Sequence, residues 1–416
     1  MGRLYGEKEG AEEDIMSRST SRGRRATAAF ACALGGVLLL PGVLLAGGGY
    51  STPTVLRTAG AGVDLHLQDV ATKGDKVAVG WQEQTPSGPN LYFRRSLDGG
   101  ASFGPFVTVD TRDSREMRMD ICAGFIWSAY ALQTPDADPD EWEIVLGGEA
   151  LEGAGSVGAL LTEPFQPNVG RVPDVACVGG RRHIVAWIEA VDLSDRRAFI
   201  QLRPISGSKE DPPPLYEYDL PAGDQSHIAV TATKHHAYAA WVRSNQLRIK
   251  RFDVGSDPDS LVTPHPTVVL PEDVFPTGSM HMAAAGSKVV LVYASYAHTY
   301  VRVSTDHGAT FGPRERLLEG LFASEYGTDG TSLDLRGTQI VVHGSIAFAD
   351  GPSITVEQHR FVSTNLGASW SETALGHQGT RRGGYTMVGG STRIVESWDK
   401  PYADAINQKV RFRRQL

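Results

Sequence analysis

Three eight-residue segments of this chain share one pattern, and it constrains the fold more than any other feature. Residues 96–103, 304–311 and 363–370, called the octapeptides below, have the form Ser-x-Asp/Asn-x-Gly-x-Ser/Thr-aromatic. Strand-like apolar runs flank them, so each predicts a hairpin turn. The Asp or Asn oxygen can accept backbone N–H bonds there, and the Gly tolerates positive φ. The pattern positions are Ser96, Asp98, Gly100 and Phe103; Ser304, Asp306, Gly308 and Phe311; and Ser363, Asn365, Gly367 and Trp370.

The octapeptides resemble the Asp-box, or BNR repeat, of the sialidase-type β-propellers. In that family the boxes lie at the blade periphery, away from the ligand face. The resemblance therefore implies that the Asp residues of the octapeptides are structural rather than catalytic.

A weaker repeat accompanies the octapeptides. It consists of a short strand that begins with a polar residue, then a turn, then an apolar strand that often ends in Trp or Tyr. Seven copies recur at intervals of about 45–60 residues, which is typical of four-stranded propeller blades. The sequence thus predicts an all-β propeller of four-stranded antiparallel blades, with seven favoured and six as the alternative. Residues 54–57 are expected to complete the last blade and close the ring.

The N-terminus has the features of an export signal. Arg22, Arg24 and Arg25 precede an uncharged apolar run, residues 26–46, which small residues follow. Cleavage is favoured, although an uncleaved anchor formed by residues 26–48 also fits, and Met16 is a plausible true start. We therefore expect residues 1–48 to be a signal peptide or anchor and residues 49–416 to be one extracytoplasmic propeller domain, secreted, periplasmic or at the cell surface.

Composition excludes one class of partner and suggests a covalent link. The formal net charge is −8 with no basic face, which argues against nucleic-acid binding. Cys122 and Cys177 remain after cleavage, and a disulfide between them would suit an oxidising compartment, whereas two buried free thiols are the alternative. No His/Cys spacing is typical of a zinc site, and no metal or other cofactor is predicted.

The first residues of the innermost strands should surround the central channel. These positions, called the slot below, predict a ligand-binding face or a wet channel lining. The fourth repeat offers no clear polar residue, and no slot position carries Arg. The predicted ligand-facing residues are Asp69, Asp120, Asp174, His281, Ser332 and Tyr385, with Arg381 and Arg382 just before the last of these.

Resemblance to sialidases implies further site residues. That family uses a tyrosine nucleophile, which Tyr385 would supply, and an acidic group, for which Glu325 is a candidate. It also has an Arg-Ile-Pro motif and an arginine cluster for its anionic sugar, and neither is evident here. The sequence therefore favours a monomeric module that binds a glycan or a cell-surface or envelope protein. A retaining exo-sialidase is the alternative, and membrane contact is expected only through the N-terminal segment.

Overall fold

The computed structural model describes most of the chain from Ser51 onward. The described residues are 51–133, 142–153, 155–160, 171–180, 182–190, 196–205, 215–220, 227–255, 262–273, 276–295, 298–319, 332–350, 353–377, 386–389, 394–399 and 409–414. The predicted signal or anchor, residues 1–48, lies outside them. Within the described part, no helix is long and apolar enough to cross a membrane.

The described residues fold as antiparallel β-strands, which we group into sheets I–VII. Strand β1 (Thr54–Thr58) is the first of the described strands. Sheet I contains β2 (Asp64–Lys73), β3 (Lys76–Thr85), β4 (Gly88–Ser96) and β5 (Phe106–Asp110); sheet II β6 (Ser114–Cys122), β7 (Phe125–Gln133), β8 (Trp142–Ala150) and β9 (Ser156–Leu160); sheet III β10 (Arg171–Val178), β11 (Arg182–Ala190), β12 (Arg196–Pro204) and β13 (Leu215–Leu220). Sheet IV contains β14 (Ile228–Ala232), β15 (His236–Arg243), β16 (Gln246–Val254), β17 (Val262–Pro264) and β18 (Val268–Asp273); sheet V β19 (Pro276–Ala285), β20 (Lys288–Ser295), β21 (His298–Ser304) and β22 (Glu315–Glu319); sheet VI β23 (Ser332–Arg336), β24 (Gln339–Asp350), β25 (Ser353–Ser363) and β26 (Ser371–His377); sheet VII β27 (Thr386–Gly389), β28 (Ile394–Asp399), β29 (Lys409–Arg414) and β1.

The sheets are arranged as blades around a shared centre. Along the chain, the innermost strand of each sheet contacts the innermost strand of the next, and β27 returns to β2. These contacts confirm the predicted class, an all-β propeller of four-stranded antiparallel blades, although in sheet IV both β17 and β18 pair with the third strand, β16.

Sheet VII is assembled from both ends of the described chain. Strand β1 pairs antiparallel with β29, with Thr54 opposite Phe412 and Val55 opposite Arg411. The amide of Ser51 also donates to the carbonyl of Arg414 at 2.8 Å. The predicted closure by an N-terminal strand is therefore present.

The core lies between neighbouring sheets, and the second strand of each sheet supplies much of it. These strands are almost continuously apolar because both of their faces are covered. Trp81, Trp187 and Trp241 occupy matching places on β3, β11 and β15, and all three side chains are buried. The indole N–H of Trp81 donates to Glu83 at 3.0 Å, and that of Trp187 donates to Glu189 at 2.7 Å.

Each octapeptide forms the turn between the third and fourth strands of its sheet, and the same contacts recur in all three, except that the amide nitrogen of Asn365 donates to the hydroxyl of Ser369 where the aspartates accept. In the first, the Ser96 hydroxyl donates to Asp98 at 2.7 Å and accepts the amide of Gly100 at 2.8 Å. Asp98 also accepts the amide of Ser102 at 2.9 Å and its hydroxyl at 2.6 Å. The side chain that was predicted to organise the turn thus does so.

The octapeptides also bind the inner hairpin of their own sheet. The amides of Gly99, His307 and Leu366, which are equivalent, donate to the carbonyls of Asp75, Ser287 and Thr338 at 2.6, 2.7 and 2.9 Å. All three donors have φ between 57° and 68°, although two of them are not glycine. The octapeptide therefore holds two turns of a sheet together, which is a structural role.

Candidate channel site

Strand register identifies the equivalent slot position on each innermost strand. In six of the seven sheets, the residue opposite this position directly precedes a Trp or Tyr of the second strand. The pairs are Asp69 with Gly80, Arg118 with Ala129, Asp174 with Ala186, Ala229 with Ala240, His281 with Val292, Ser332 with His343, and Thr386 with Ser397.

This register corrects two sequence predictions. In sheet II the slot residue is Arg118, whereas Asp120 lies two residues further along β6, opposite Trp127. The prediction that no slot position carries Arg is therefore wrong. In sheet VII the residue in register is Thr386, directly after Tyr385. In sheet IV the slot residue is Ala229, as expected from the lack of a clear polar residue in the fourth repeat.

A bulge explains the error in sheet II. The pairing of β6 shifts between Arg115 and Arg118, and Glu116 adopts a φ of 59°. Similar shifts precede Asp69 on β2 and Asp174 on β10. Bulges re-aim the side chains that follow them, and they are frequent beside functional sites. Counting back five residues from the hairpin turn, rather than matching aspartates, would have identified Arg118.

The three predicted aspartates each link neighbouring innermost strands. Asp69 accepts the amide of Met119 at 2.6 Å, and Asp174 accepts that of Val230 at 2.8 Å. Asp120 accepts the amide of Cys177 at 2.7 Å through one oxygen and its neighbour's amide at 2.7 Å through the other. Both oxygens of Asp120 thus accept a backbone amide, and so do those of Asp174, whose other oxygen accepts the amide of Val175 at 2.9 Å.

Burial in the channel dominates the electrostatics of these carboxyls. It raises the pKa of Asp120 to about 6 and that of Asp174 to about 7, and it raises the pKa of Asp69. The positive charge of Arg118 opposes this effect, because it lowers the pKa of Asp69 and of Asp174. Arg118 also donates to the carbonyl of Gln68 at 2.9 Å, which fixes its guanidinium group beside β2.

Two histidines complete the described part of the site. Burial lowers the pKa of His281 to about 3 and that of His227, directly before β14, to about 4, and the charge of Arg118 acts in the same direction. Both rings are therefore neutral at physiological pH. Among the described residues, Nε2 of His281 has no hydrogen-bond partner. His227 was missed from the sequence because it precedes the repeat unit.

Several predicted residues lie outside the described residues. They are Tyr385, Arg381, Arg382 and Glu325. Ser332 is described and is buried at its slot position. Apart from Ala229 and Thr386, the described site therefore contains two carboxyls, one guanidinium group, two neutral imidazoles and the hydroxyl of Ser332.

A second cluster lies on the same innermost strands, nearer the hairpin turns. A disulfide joins Cys122 on β6 to Cys177 on β10, with 6.1 Å between their Cα atoms. Nδ1 of His183 lies 3.9 Å from the sulfur of Cys122 and 3.8 Å from that of Cys177. Sequence reasoning considered the cysteines but missed His183, because proximity across a hairpin does not follow a metal-site spacing.

No family profile and no curated protein matches the sequence. Among solved structures, phage phi92 endosialidase is similar over 88% of this chain and 68% of its own, with 8% identity and a TM-score of 0.51. A protein of unknown function from Dyadobacter fermentans DSM 18053 gives 10% identity over 88% and 99% of the two chains, with a TM-score of 0.47. Trypanosoma rangeli sialidase in complex with the inhibitor DANA gives 10% identity over 75% and 56%, with a TM-score of 0.44.

At such low identities these likenesses concern the fold alone. The fold is a sialidase-like β-propeller, which confirms at that level the resemblance seen in the octapeptides.

Proposed function

We propose that this propeller is a binding module whose channel face holds a hydroxyl-rich ligand of the glycan type. The observation that carries the proposal is the slot itself, where Arg118 lies between Asp69 and Asp174 on adjacent sheets, and where neutral His281 presents a nitrogen that has no partner among the described residues. Fold likeness contributes nothing to this choice, because one propeller scaffold supports many functions.

The chemistry of the slot suits neutral hydroxyl groups. Carboxylates accept hydrogen bonds and a guanidinium group donates them. A neutral imidazole donates from one nitrogen and accepts at the other. Vicinal sugar hydroxyls can satisfy such a mixture, since each hydroxyl both donates and accepts. Arg118 contributes one positive charge against at most two negative charges on the carboxyls, so the described face is not strongly attractive to an anion.

Binding is favoured over hydrolysis by how the carboxyls are used. Asp69 and Asp174 each hold a backbone amide of the next strand, and moving either one would disturb the contact between two sheets. An anionic sugar calls for several guanidinium groups, and the described slot supplies one. The sialidase alternative would rest on Tyr385, Arg381, Arg382 and Glu325, all outside the described residues.

The test is glycan binding by the full chain and by Arg118→Met, first on a glycan array and then by calorimetry. Hydrogen bonds to a charged group contribute about 1.5–3 kcal/mol when a partner is removed. We therefore expect the variant to bind at least about tenfold more weakly. Arg248→Met, on the third strand of sheet IV, is the matched control and should bind as the parent does.

A fluorogenic sialoside separates the alternative. The binding module should give no turnover, either as the parent chain or as Tyr385→Phe. Turnover by the parent that is lost in Tyr385→Phe would replace the proposal with a retaining sialidase. Equal glycan binding by the parent and Arg118→Met would remove the channel as the site.

We further propose that the mature protein works outside the cytoplasm. The disulfide of Cys122 and Cys177 supports this location, since such bonds persist in oxidising compartments. Cell fractionation with mass spectrometry of the mature N-terminus tests it. Recovery of the protein in the cytoplasm with its N-terminal segment intact would contradict it.

A further inference from the structure

We propose that reduction of the Cys122–Cys177 disulfide creates a binding site for monovalent copper, with His183 as the third ligand. This site is separate from the slot and does not depend on the proposed glycan binding.

The positions of the ligand atoms carry the proposal. A metal bound to sulfur at about 2.3 Å and to nitrogen at about 2.0 Å separates the two ligand atoms by roughly 3.6–3.8 Å. Nδ1 of His183 already lies 3.9 and 3.8 Å from the two sulfurs. Only the two sulfurs must move apart. The Cα atoms of Cys122 and Cys177, which carry them, are 6.1 Å apart.

The fold holds these ligands in place without a metal. Cys177 and His183 are register partners in the hairpin of β10 and β11, while Cys122 comes from the neighbouring sheet. His183 is 1% exposed, and its ring centroid lies 4.1 Å from that of Trp127. Rigid placement lowers the entropic cost of metal binding.

The imidazole is suited to be a ligand. Its Nδ1 faces both sulfurs, and the nitrogen of a neutral imidazole is the commonest metal ligand in proteins. Its Nε2 has no hydrogen-bond partner among the described residues. Because Nδ1 of this buried imidazole faces both sulfurs, the three ligand atoms are already grouped before any metal binds.

Coordination number and charge favour copper over zinc. The cluster offers three ligand atoms, and the described residues hold no other group of this kind. Structural zinc takes four ligands, whereas thiolates with few partners suit the softer monovalent copper. Two thiolates and one Cu⁺ leave a net charge of −1. Arg203 is the register partner of His183 on β12, and its positive charge acts on that ring.

Formation of the site needs an external reductant, which we take to be a dithiol. It supplies two electrons and two protons to the sulfur–sulfur bond, giving two thiols, and itself becomes a disulfide. Cu⁺ then displaces the two thiol protons to solvent and binds both sulfurs and Nδ1 of His183.

The test uses the full chain with Cys32→Ser, so that only the paired cysteines remain. The protein is reduced anaerobically with a phosphine, desalted, and titrated with Cu⁺ against a chromogenic chelator. We expect one copper per reduced chain and none retained by the oxidised chain. His183→Asn should weaken binding about tenfold or more, whereas the matched control His236→Asn should leave it unchanged.

Two further measurements keep the proposal falsifiable if His183→Asn folds poorly. X-ray absorption of the copper-loaded parent should give two sulfurs and one nitrogen, and near-ultraviolet circular dichroism should show an intact reduced fold. Equal retention by oxidised and reduced chains, copper with sulfur ligands only, or binding only by unfolded protein would each overturn the site.

Discussion

Substitution of Gly100 by Ala should strain the junction where the propeller closes. Gly100 is the glycine of the first octapeptide, and its φ is 80°. A Cβ atom built there would overlap the ring of Phe412 on β29. That ring is 1% exposed and packs in the core between sheets VII and I, so it has little room to move.

Two costs add at this position. Placing Ala in the left-handed region costs about 1–2 kcal/mol, and overpacking a buried contact costs about 1–3 kcal/mol more. The octapeptides supply matched controls, because Gly308 and Gly367 have φ values of 72° and 86°. Their added Cβ atoms would meet Tyr238 at 3.2 Å and Val303 at 3.4 Å, so mainly the first cost applies.

Urea unfolding of the three Ala variants separates these costs. We expect the free energy of unfolding to fall by about 2–5 kcal/mol for Gly100→Ala and by about 1–2 kcal/mol for Gly308→Ala and Gly367→Ala. A Gly100→Leu variant should be worse still. Equal losses at all three positions would refute the reasoning, because they would mean that contact with Phe412 adds nothing.

Three further predictions concern ionisation and the disulfide. The hydrogen bond from the Ser102 hydroxyl is the main cause that lowers the pKa of Asp98 to about 2. The ionised Asp98 therefore adds to the free energy of unfolding above pH 4, and this contribution is lost as the pH falls through 2. In Asp98→Asn the urea midpoint should therefore fall less than in the parent as the pH is lowered from 4 to 2. The effect should be below about 1 kcal/mol because the carboxylate is exposed. Burial raises the pKa of Asp174 to about 7. The folded protein therefore favours protonated Asp174, and the free energy of unfolding should fall as the pH rises from about 4 to 7. An NMR signal of the Asp174 carboxyl that titrates near 4 would contradict this. Serine at both Cys122 and Cys177 should lower the free energy of unfolding by about 2–4 kcal/mol, and a reductant should then have no further effect on the urea midpoint.

The fold could be predicted from the sequence because its information is local and repeated. Each octapeptide is organised by side-chain bonds within seven residues, as between Ser96 and Ser102. Each hairpin follows from an apolar strand beside a turn. Repetition then fixes the class, since one blade cannot bury its faces without neighbours.

The site was harder to predict because it depends on register and on contacts between sheets. A bulge at Glu116 moved Arg118 into the place assigned to Asp120, and a bulge leaves little trace in a single sequence. The approach of His183 to a cysteine of another sheet is set by the packing of β6 on β10. Such contacts join positions about 60 residues apart that no local pattern links.

The pairing of β1 with β29 has a consequence for how the protein is made. Residues near position 55 must remain without their partner while more than 350 others are synthesised, because that partner spans Lys409–Arg414. A polypeptide cut short before this strand would leave both β1 and β28 with open edges, which recruit other chains. The ring is thus closed only once β29 has been made, and until then the edges of β1 and β28 stay open to other strands.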